Sequence, residues 1–323
     1  MALNRRQFIL STIAAAASGR AAAQDFPTRS ISVVVGAAPG GPNDIVARLV
    51  SEQLAQQLGA PVVIENKPGA SGFIAATDIK GAPPDGYRLL FAYTGLMAIN
   101  PWLFKSLPYD PIADFAPLSL VAKVPQVLLV RPQLGVRTVA ELRDWLRQHP
   151  NEAAYGSAGI GTPLHIAGEL FLSKAGLRAV HIPYKGSSPA YSELLSGRIH
   201  FLFDGVPGVL PYIKSGKFVP LAVTGKVPLA QLPNVPTLAD AGLEGADVES
   251  WFGFAAPAAV PLAVRRKLTD ALIQAVQTRQ LRTRLEELGV QPWGTTGEEM
   301  AAFVASEQKR WHQLVNNAGV HPE

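Results

Sequence analysis

The chain has 323 residues, a length that suits two domains of ordinary size or one large domain. Apolar residues make up 48% of it and charged residues only 17%, which favours buried cores and excludes an intrinsically disordered chain. The absence of cysteine excludes a disulfide scaffold, a thiolate zinc site and a cysteine nucleophile.

The first 23 residues have the pattern of an export signal. Arg5 and Arg6 precede a short run of small and apolar residues, and three alanines at 21–23 form a cleavage pattern. The arginine pair followed by Phe8 resembles a twin-arginine signal. We therefore predict a periplasmic protein whose signal is cleaved near Ala23 and Gln24. Cleavage would leave 26 basic residues against 25 acidic ones, a balance that gives no support for nucleic-acid binding.

Strand-like and helix-like segments alternate from residue 30 onward. The first unit has predicted strands at 30–35, 61–65 and 87–93 and predicted helices at 43–54 and 73–80. The middle unit has predicted strands at 127–130, 153–155, 180–183, 199–203 and 218–223 and predicted helices at 139–148, 163–175 and 189–196. This alternation predicts an α/β fold with mainly parallel sheets covered by helices.

The last third changes character. An extended segment at 247–255 leads into predicted helices at 261–277, 281–288 and 297–317, which have no sheet of their own. We expect these helices to pack on the first unit, so that the first lobe is discontinuous. The predicted lobes are then 24–125 with 251–323, and 126–250, and two crossing strands form the hinge between them.

Three loops of small residues each follow a predicted strand and lead into a predicted helix. They lie at 37–41, 69–72 and 156–162. Glycine lets the backbone approach a ligand, and a helix N-terminus supplies unpaired N–H groups that attract anions. Each loop alone is equally consistent with a tight turn. Because ligands of open α/β sheets bind beyond the carboxyl ends of the strands, the three loops together predict one anion-binding cleft.

Several enzyme motifs are absent from the sequence. It has no Walker loop and no G-x-S-x-G elbow, and the third loop inverts the dinucleotide fingerprint. The six histidines have no H-x-x-x-H spacing, so we expect no catalytic metal. Ser157 and His165 leave an exported hydrolase as an alternative, although a packed or capping histidine explains His165 more simply.

Two further features after residue 200 have open interpretations. Asp204 follows a predicted strand, where its carboxylate would bind a ligand's hydroxyl or amine group or cap the turn before Gly205. The aromatic residues Trp251, Phe252 and Phe254 fit core or hinge packing better than a cleft lining.

From residue 26 to the end, the chain resembles the substrate-binding proteins of tripartite tricarboxylate transporters, also called Bordetella uptake gene proteins. The matching segments include Ala-Pro-Gly-Gly-Pro-Asn-Asp at 38–44, Val-Ile-Glu-Asn-Lys-Pro-Gly-Ala at 63–70 and Pro-Asp-Gly-Tyr at 84–87. Others lie at 155–159, 165–170, 181–186, 233–237 and 251–253.

The resemblance implies a two-lobed periplasmic binding fold of type II, without a cofactor, a metal or enzymatic activity. It also implies a small carboxylate ligand, held largely by backbone amides and water, for which a mono- or dicarboxylate, an aromatic acid or an amino acid would qualify. The implied partner is a membrane permease of the tripartite tricarboxylate type, with a membrane sensor as the alternative, and the protein is expected to be a monomer. The expected ligand-binding residues are Ala37, Ala38, Pro39, Gly40, Gly41, Ala70, Ser71, Gly72, Thr94, Gly95, Ser157, Ala158, Gly159, Gly161, Thr162, His165 and Asp204.

One departure from the family concerns the first loop. Family members often carry an aromatic residue before the Pro-Gly-Gly, whereas this chain has Gly36, Ala37 and Ala38. We therefore expect room for a bulkier ligand.

Overall fold

The computed structural model describes residues 26–246 and 248–320, so the predicted export signal lies outside the described residues. The strands are β1 (Ile31–Val35), β2 (Val62–Asn66), β3 (Arg88–Tyr93), β4 (Phe115–Val130), β5 (Ala154–Ser157), β6 (Val180–Pro183), β7 (Phe201–Gly205), β8 (Val219–Val223), β9 (Glu249–Pro257) and β10 (Gln291–Pro292). The α-helices are α1 (Pro42–Leu58), α2 (Phe73–Lys80), α3 (Asn100–Leu103), α4 (Val139–Gln148), α5 (Pro163–Ala175), α6 (Ser187–Ser196), α7 (Val206–Lys214), α8 (Leu262–Gln277), α9 (Arg279–Glu287) and α10 (Gly297–Asn317). Four of the predicted helices, α2, α4, α5 and α10, have the predicted bounds.

The strands form two groups that share β4. In the first group β2, β1 and β3 are parallel, β9 is antiparallel to β3, and β4 and β10 complete the edge. In the second group β8 and β7 pair with β4 in the antiparallel sense, and β7, β5 and β6 are parallel to one another. The prediction of an α/β fold is confirmed, but the prediction of mainly parallel sheets is wrong, because β4 and β9 run antiparallel to their neighbours and make the sheet of each group mixed.

Strand β4 joins the two groups. Its residues 115–125 pair with β9 in the first group, and its residues 126–130 pair with β7 and β8 in the second. The sequence pattern predicted only the last four residues of this strand. Pro117 and Pro125 break the pattern upstream, because proline cannot donate to a ladder, and the β9 pairing does shift register next to Pro117.

The chain returns to the first group beside this crossing. The Gln126 N–H donates to the Thr224 hydroxyl at 3.0 Å, and the Thr224 N–H donates to the Gln126 carbonyl at 2.9 Å. The Thr224 hydroxyl also bonds to the Val248 carbonyl, and the Gln126 amide donates to Ser250 Oγ at 3.3 Å. These bonds tie together the two segments that connect the strand groups.

The C-terminal helices cover the first group. Helix α8 packs on α1 and on β4, and it buries Val264, Leu268 and Leu272 at spacings of four residues. Helix α10 packs on β4 and buries Trp311 completely. The buried Glu307 carboxylate accepts from the indole N–H groups of Trp251 and Trp311 at 3.0 and 2.9 Å, which ties α10 to β9.

Helix α7 was missed at the sequence level. Its sequence contains Pro207, Gly208 and Pro211, residues that argue against a helix interior. Pro207 lies in the first turn, where no intrahelical N–H is needed. The helix forms because Val206, Val209 and Leu210 are buried against the second strand group.

Candidate functional site

A cleft runs between the loops that follow the strands of the two groups. It has two connected sections that share Gly36, Tyr93, Ala158 and Thr162. The inner section is a narrow space of about 40 Å³ that ends at the fully buried Asp204. The outer section is a space of about 210 Å³ that reaches the exposed Lys185.

The N-termini of three helices meet at the inner section. Helix α1 begins after Gly41, α5 begins after Thr162, and α7 begins after Gly205. Each has a proline in its first turn, and residues from all three helix starts line the section. The first turn of a helix has unpaired N–H groups and a partial positive charge, so the arrangement favours an anion. The sequence pattern identified two of these starts and missed that of α7.

Most of the first loop packs against the second strand group instead of lining the cleft. Only Ala37 of its residues 37–41 lines the inner section. The Pro39 carbonyl accepts from Ser188 Oγ at 2.7 Å, Ala38 lies against Gly186, and Gly41 lies against Ser187. The loop thereby closes one side of the cleft by contacting the start of α6.

Asp44 holds the first loop from within α1. Its carboxylate accepts from the Gly40 N–H at 3.0 Å, from Arg48 Nε at 3.0 Å and from the Asn66 amide at 2.9 Å. Burial alone would raise the pKa of Asp44, but the hydrogen bonds from Arg48, Gly40 and Asn66 outweigh burial and keep the pKa below its ordinary value. The Asn66 amide also donates to the Ala37 carbonyl at 3.1 Å.

The second loop lines the outer section. Ala70, Ser71 and Gly72 are consecutive and all have positive φ, at 45°, 52° and 89°. Residues other than glycine rarely adopt positive φ, so a run of three such residues points to a functional constraint. Gly72 cannot be larger, because a Cβ atom there would collide with the Tyr93 hydroxyl.

Thr94 and Gly95 have different positions. Thr94 lines the inner section, and its hydroxyl accepts from the Trp251 N–H at 2.8 Å. Gly95 is not part of the lining, because it packs closely against the Gly161 carbonyl of the third loop. Thr94 therefore ties β9 to the cleft wall.

Only part of the third loop faces the cleft. Ala158 and Thr162 line both sections, and Gly159 lines the outer one. Ser157 is buried, and its hydroxyl lies 2.7 Å from His181 Nε2. The Gly161 N–H donates to His165 Nδ1 at 3.4 Å, behind the loop.

His165 lies outside both sections of the cleft. It lines a separate cavity of about 290 Å³ on the far side of the third loop, together with Glu169 and His181. The bond between Ser157 and His165 that a hydrolase would need is absent. Ser157 bonds to His181 instead, and His165 lies 4.0 Å from the carboxylate of Glu169. Ser157 is only 1% exposed, which would keep a nucleophile from reaching a substrate.

Asp204 is a carboxylic acid at the inner end of the cleft. It is 1% exposed, and no described residue forms an ion pair with it. Burial raises its pKa from 3.8 to about 7, against the lowering effects of Ser187, the Gly205 N–H and Tyr191. The Gly205 N–H donates to Oδ1 at 2.7 Å, whereas the Tyr191 hydroxyl is near the carboxyl but lacks hydrogen-bond geometry.

Several lining residues were not predicted as ligand-binding. Tyr93 borders both sections, and its hydroxyl lies directly beside Gly36. The expected room for a bulkier ligand stays a prediction. Phe252 and Ser250 of β9 line the inner section, and Lys185 lines the outer one. The glycine-rich loops do not indicate these four residues, because they lie on strands β3 and β9 and in the loop after β6.

In 26–246 and 248–320, no group of three or more histidines or acidic residues has an arrangement that would bind a metal ion. No helix in these ranges is long and apolar enough to cross a membrane.

Comparison with known proteins identifies the fold and the family. A protein from Pseudomonas sp. strain P51, named as a UPF0065 protein of the tcbD-tcbE intergenic region, is 35% identical over 96% of this chain and 94% of its own length. A Rhodopseudomonas palustris structure with adipate has a TM-score of 0.90 at 35% identity and covers 93% of this chain and 100% of that one. MatC of the same organism, with bound malate, has a TM-score of 0.85 at 32% identity and covers 90% of this chain and 100% of that one.

The sequence model of the "Tripartite tricarboxylate transporter family receptor" matches residues 46–320. Members of this family are two-lobed periplasmic solute-binding proteins and not enzymes, so the expected fold class and the absence of catalysis are both confirmed by relatives. The chain belongs to the family of tripartite tricarboxylate transporter receptors.

Proposed function

We propose that the cleft captures a small carboxylate, with a mono- or dicarboxylate as the ligand class, and that the two lobes close around it. The observation that carries the proposal is the meeting of three helix N-termini at the inner section. These starts offer N–H groups to a carboxylate without a lysine or arginine in the inner lining. Two related proteins solved with adipate and malate support the same ligand class.

The proposed ligand-binding surface consists of Ala37 in the first loop, Ala70, Ser71 and Gly72 in the second, Ala158, Gly159 and Thr162 in the third, and Thr94 and Asp204. The structure supports Ala38, Pro39, Gly40, Gly41, Gly95, Ser157 and Gly161 as residues that shape this surface, since they contact the loops and helix starts next to it. Lys185 adds a positive charge at the outer section, so we assign it to the second carboxylate of a dicarboxylate.

The proposed lobes are 24–125 with 251–323, and 126–250. The crossing at Gln126 and Thr224 is where we propose the hinge, because the two connecting segments are bonded to each other there. We further propose export to the periplasm after cleavage near Ala23, and delivery of the ligand to a tripartite tricarboxylate-type permease. Delivery to a membrane sensor is the alternative partner, and the same closed cleft would serve it.

Titration calorimetry on the mature chain tests the ligand class. The protein is first unfolded and refolded to remove any co-purified ligand and is then titrated with adipate, malate and hexanoate. We expect heat of binding with at least one of these carboxylates and none with the matching neutral amides. Absence of heat with every carboxylate in a wider panel would contradict the proposal.

Lys185→Met tests whether the ligand carries a second carboxylate. We expect adipate to bind several-fold more weakly and hexanoate to be affected little, because an exposed charge contributes modestly to one end of the ligand. Lys217→Met, which removes an exposed lysine outside the cleft lining, is the matched control. An equal loss for both ligands would refute the assignment of Lys185.

A further inference from the structure

The third loop has hydrogen bonds of its own, such as the one from Thr162 Oγ1 to the Gly159 carbonyl at 2.7 Å, but two of its glycines are in conformations that carry a high entropic cost. Gly159 and Gly161 have φ values of 132° and 74°, which non-glycine residues rarely adopt, and glycine loses more freedom on ordering than other residues do. Ala158, Gly159 and Thr162 of this loop nevertheless line the cleft. A wall made of such residues needs support from elsewhere if it is to be ordered before a ligand arrives.

Two histidines supply bonds to this loop from the face opposite the cleft. His181 Nε2 lies 2.7 Å from Ser157 Oγ, and the Gly159 N–H donates to the same Oγ at 3.1 Å. His165 Nδ1 accepts from the Gly161 N–H at 3.4 Å. The amides of Gly159 and Gly161 are thus each connected to a histidine, that of Gly159 through Ser157.

The two rings are themselves held in place. His165 and His181 stack with ring centroids 4.1 Å apart and an angle of 16° between the rings. Tyr155 stacks on the other face of this pair, 4.8 Å from His181, and its hydroxyl donates to Glu169 at 2.5 Å. A column of three rings therefore anchors the bonds to β5, β6 and α5.

The protonation of the pair agrees with this arrangement. Burial, together with the neighbouring imidazole of His181, lowers the pKa of His165 to about 3, and burial lowers the pKa of His181 to about 4. A neutral His165 keeps Nδ1 free to accept from Gly161. None of these ring atoms belongs to the lining of the cleft, because both histidines face the separate cavity behind the loop.

We infer that His181 and His165 are positioning residues for ligand binding, which fix the backbone of the third loop through Ser157 and Gly161 without contacting the ligand. This inference rests on the proposed function only in that the ordered loop serves a ligand. The order of the loop itself is a property of the ligand-free protein. The order of the loop and the binding of a ligand can therefore be tested separately.

The first experiment measures amide hydrogen exchange of Gly159 and Gly161 in the ligand-free mature chain. In His181→Leu, which removes the bond to Ser157, we expect Gly159 to exchange at least tenfold faster. In His181→Gln, whose side-chain amide can replace Nε2, we expect exchange within about threefold of the parent protein. Unchanged exchange in His181→Leu, or equal acceleration in both variants, would overturn the inference, since equal acceleration indicates a packing role alone.

The second experiment measures the Kd for adipate in the same proteins. We expect about tenfold weaker binding for His181→Leu and near-parent binding for His181→Gln. His149→Phe is the matched control, because His149 stacks on Trp145 at the end of α4 and has no bond to the third loop. A parent-like Kd for His181→Leu would overturn the positioning role. If the parent protein does not bind adipate, a carboxylate of the panel that does bind replaces it; if none binds, the proposed ligand class fails, and the exchange experiment alone decides this inference.

Two variants protect the test against a folding defect. Ser157→Ala removes the hydroxyl that links His181 to Gly159 with a smaller change in volume, and we expect the same acceleration at Gly159. His165→Asn retains an acceptor near the position of Nδ1, and we expect Gly161 to exchange as in the parent protein. Normal exchange at Gly159 in Ser157→Ala would overturn the assignment of the bond.

Discussion

Asp44 and Asp204 are both buried beside the cleft, one in the first turn of α1 and the other at the end of β7. Asp44 has a guanidinium partner, Arg48, and its pKa is held below the ordinary value, whereas Asp204 has only hydroxyl and N–H partners and burial raises its pKa to about 7. The difference shows that burial alone does not decide the charge of a carboxyl group. Asp204 also lies deeper in the protein, so both the depth of burial and the charged partner of Asp44 separate the two pKa values.

The two aspartates therefore have different tasks in the same cleft. Asp44 is ionised and shapes the first loop through Gly40 and Asn66, without belonging to the lining. Asp204 lines the inner section and can carry a proton near neutral pH. One wall of the cleft is fixed by a permanent charge, and the other ends in a group that can either donate or accept a hydrogen bond.

The largest expected effect concerns Asp204 and pH. Its folded pKa of about 7 exceeds the ordinary value of 3.8, so the folded state binds the proton more tightly than the unfolded state does. This contribution to stability is complete below about pH 4 and is lost as the pH rises through 7. The loss amounts to about 4 kcal/mol at most. We expect Asp204→Asn to remove it.

Urea denaturation at pH 4.5 and pH 8 measures the effect. The free energy of unfolding should fall between these values by a smaller amount in Asp204→Asn than in the parent protein. Asp44→Asn is the matched control and should keep the parent slope, because Asp44 is ionised in both states over this range. An unchanged slope in Asp204→Asn would mean that Asp204 is ionised throughout.

The next effect concerns Asp44. Asp44→Ala removes the acceptor of three hydrogen bonds, and we expect a loss of about 2–3 kcal/mol in the free energy of unfolding at pH 7. The loss is limited because the Arg48 side chain is 52% exposed and can bind water instead. Urea denaturation measures it.

Asp144→Ala provides the comparison for this prediction. Asp144 pairs with Arg147 at 2.6 Å on α4, but both side chains are at least half exposed. We expect a loss below about 0.5 kcal/mol there. Equal losses at Asp44 and Asp144 would show that the buried bonds to Gly40 and Asn66 contribute nothing beyond a surface ion pair.

A smaller effect concerns ligand binding at Asp204. When Asp204 loses its proton above pH 7, its charge would repel an anionic ligand in the inner section. We expect the Kd for adipate to rise by up to about tenfold between pH 6.5 and 8.5 in the parent protein, and by much less in Asp204→Asn. Calorimetry at the two pH values measures this. A Kd independent of pH in the parent protein would place the ligand away from Asp204.

The contrast between the aspartates also separates what the sequence could predict from what it could not. The loops at 37–41, 69–72 and 156–162 follow from local patterns of strand, glycine and helix, and all three border or shape the cleft. Asp204 was identified by its position after a strand. Its environment was not, because Ser187 and Tyr191 approach it from α6, and their positions depend on the pairing of β5, β6 and β7.

Long-range pairing explains the other omissions as well. Tyr93 and Phe252 meet at the cleft because they are direct partners in the antiparallel pairing of β3 and β9, although 159 positions separate them along the chain. His181 reaches Ser157 because β5 and β6 are parallel neighbours. The start of α7 was hidden by prolines that are acceptable only because tertiary packing supports the helix.

The smallest expected effect concerns the bond that joins the two walls. Ser188 Oγ at the start of α6 donates to the Pro39 carbonyl of the first loop at 2.7 Å, so the bond connects the Asp44 side of the cleft to the Asp204 side. Ser188→Ala removes it, and we expect a Kd for adipate that is two- to fivefold higher, since an exposed hydrogen bond contributes about 0.5–1 kcal/mol. The free energy of unfolding should change less than in Asp44→Ala, because the bond lies between the walls and not within one of them.

Solution scattering with and without adipate shows whether the bond between Ser188 and Pro39 stabilises the closed form. If it does, the ligand-free variant should have a larger radius of gyration than the parent protein, and the ligand-bound radius should be unchanged. If both radii match those of the parent protein, the contact between Ser188 and Pro39 has no part in closure, and each wall then acts on the ligand independently of the other.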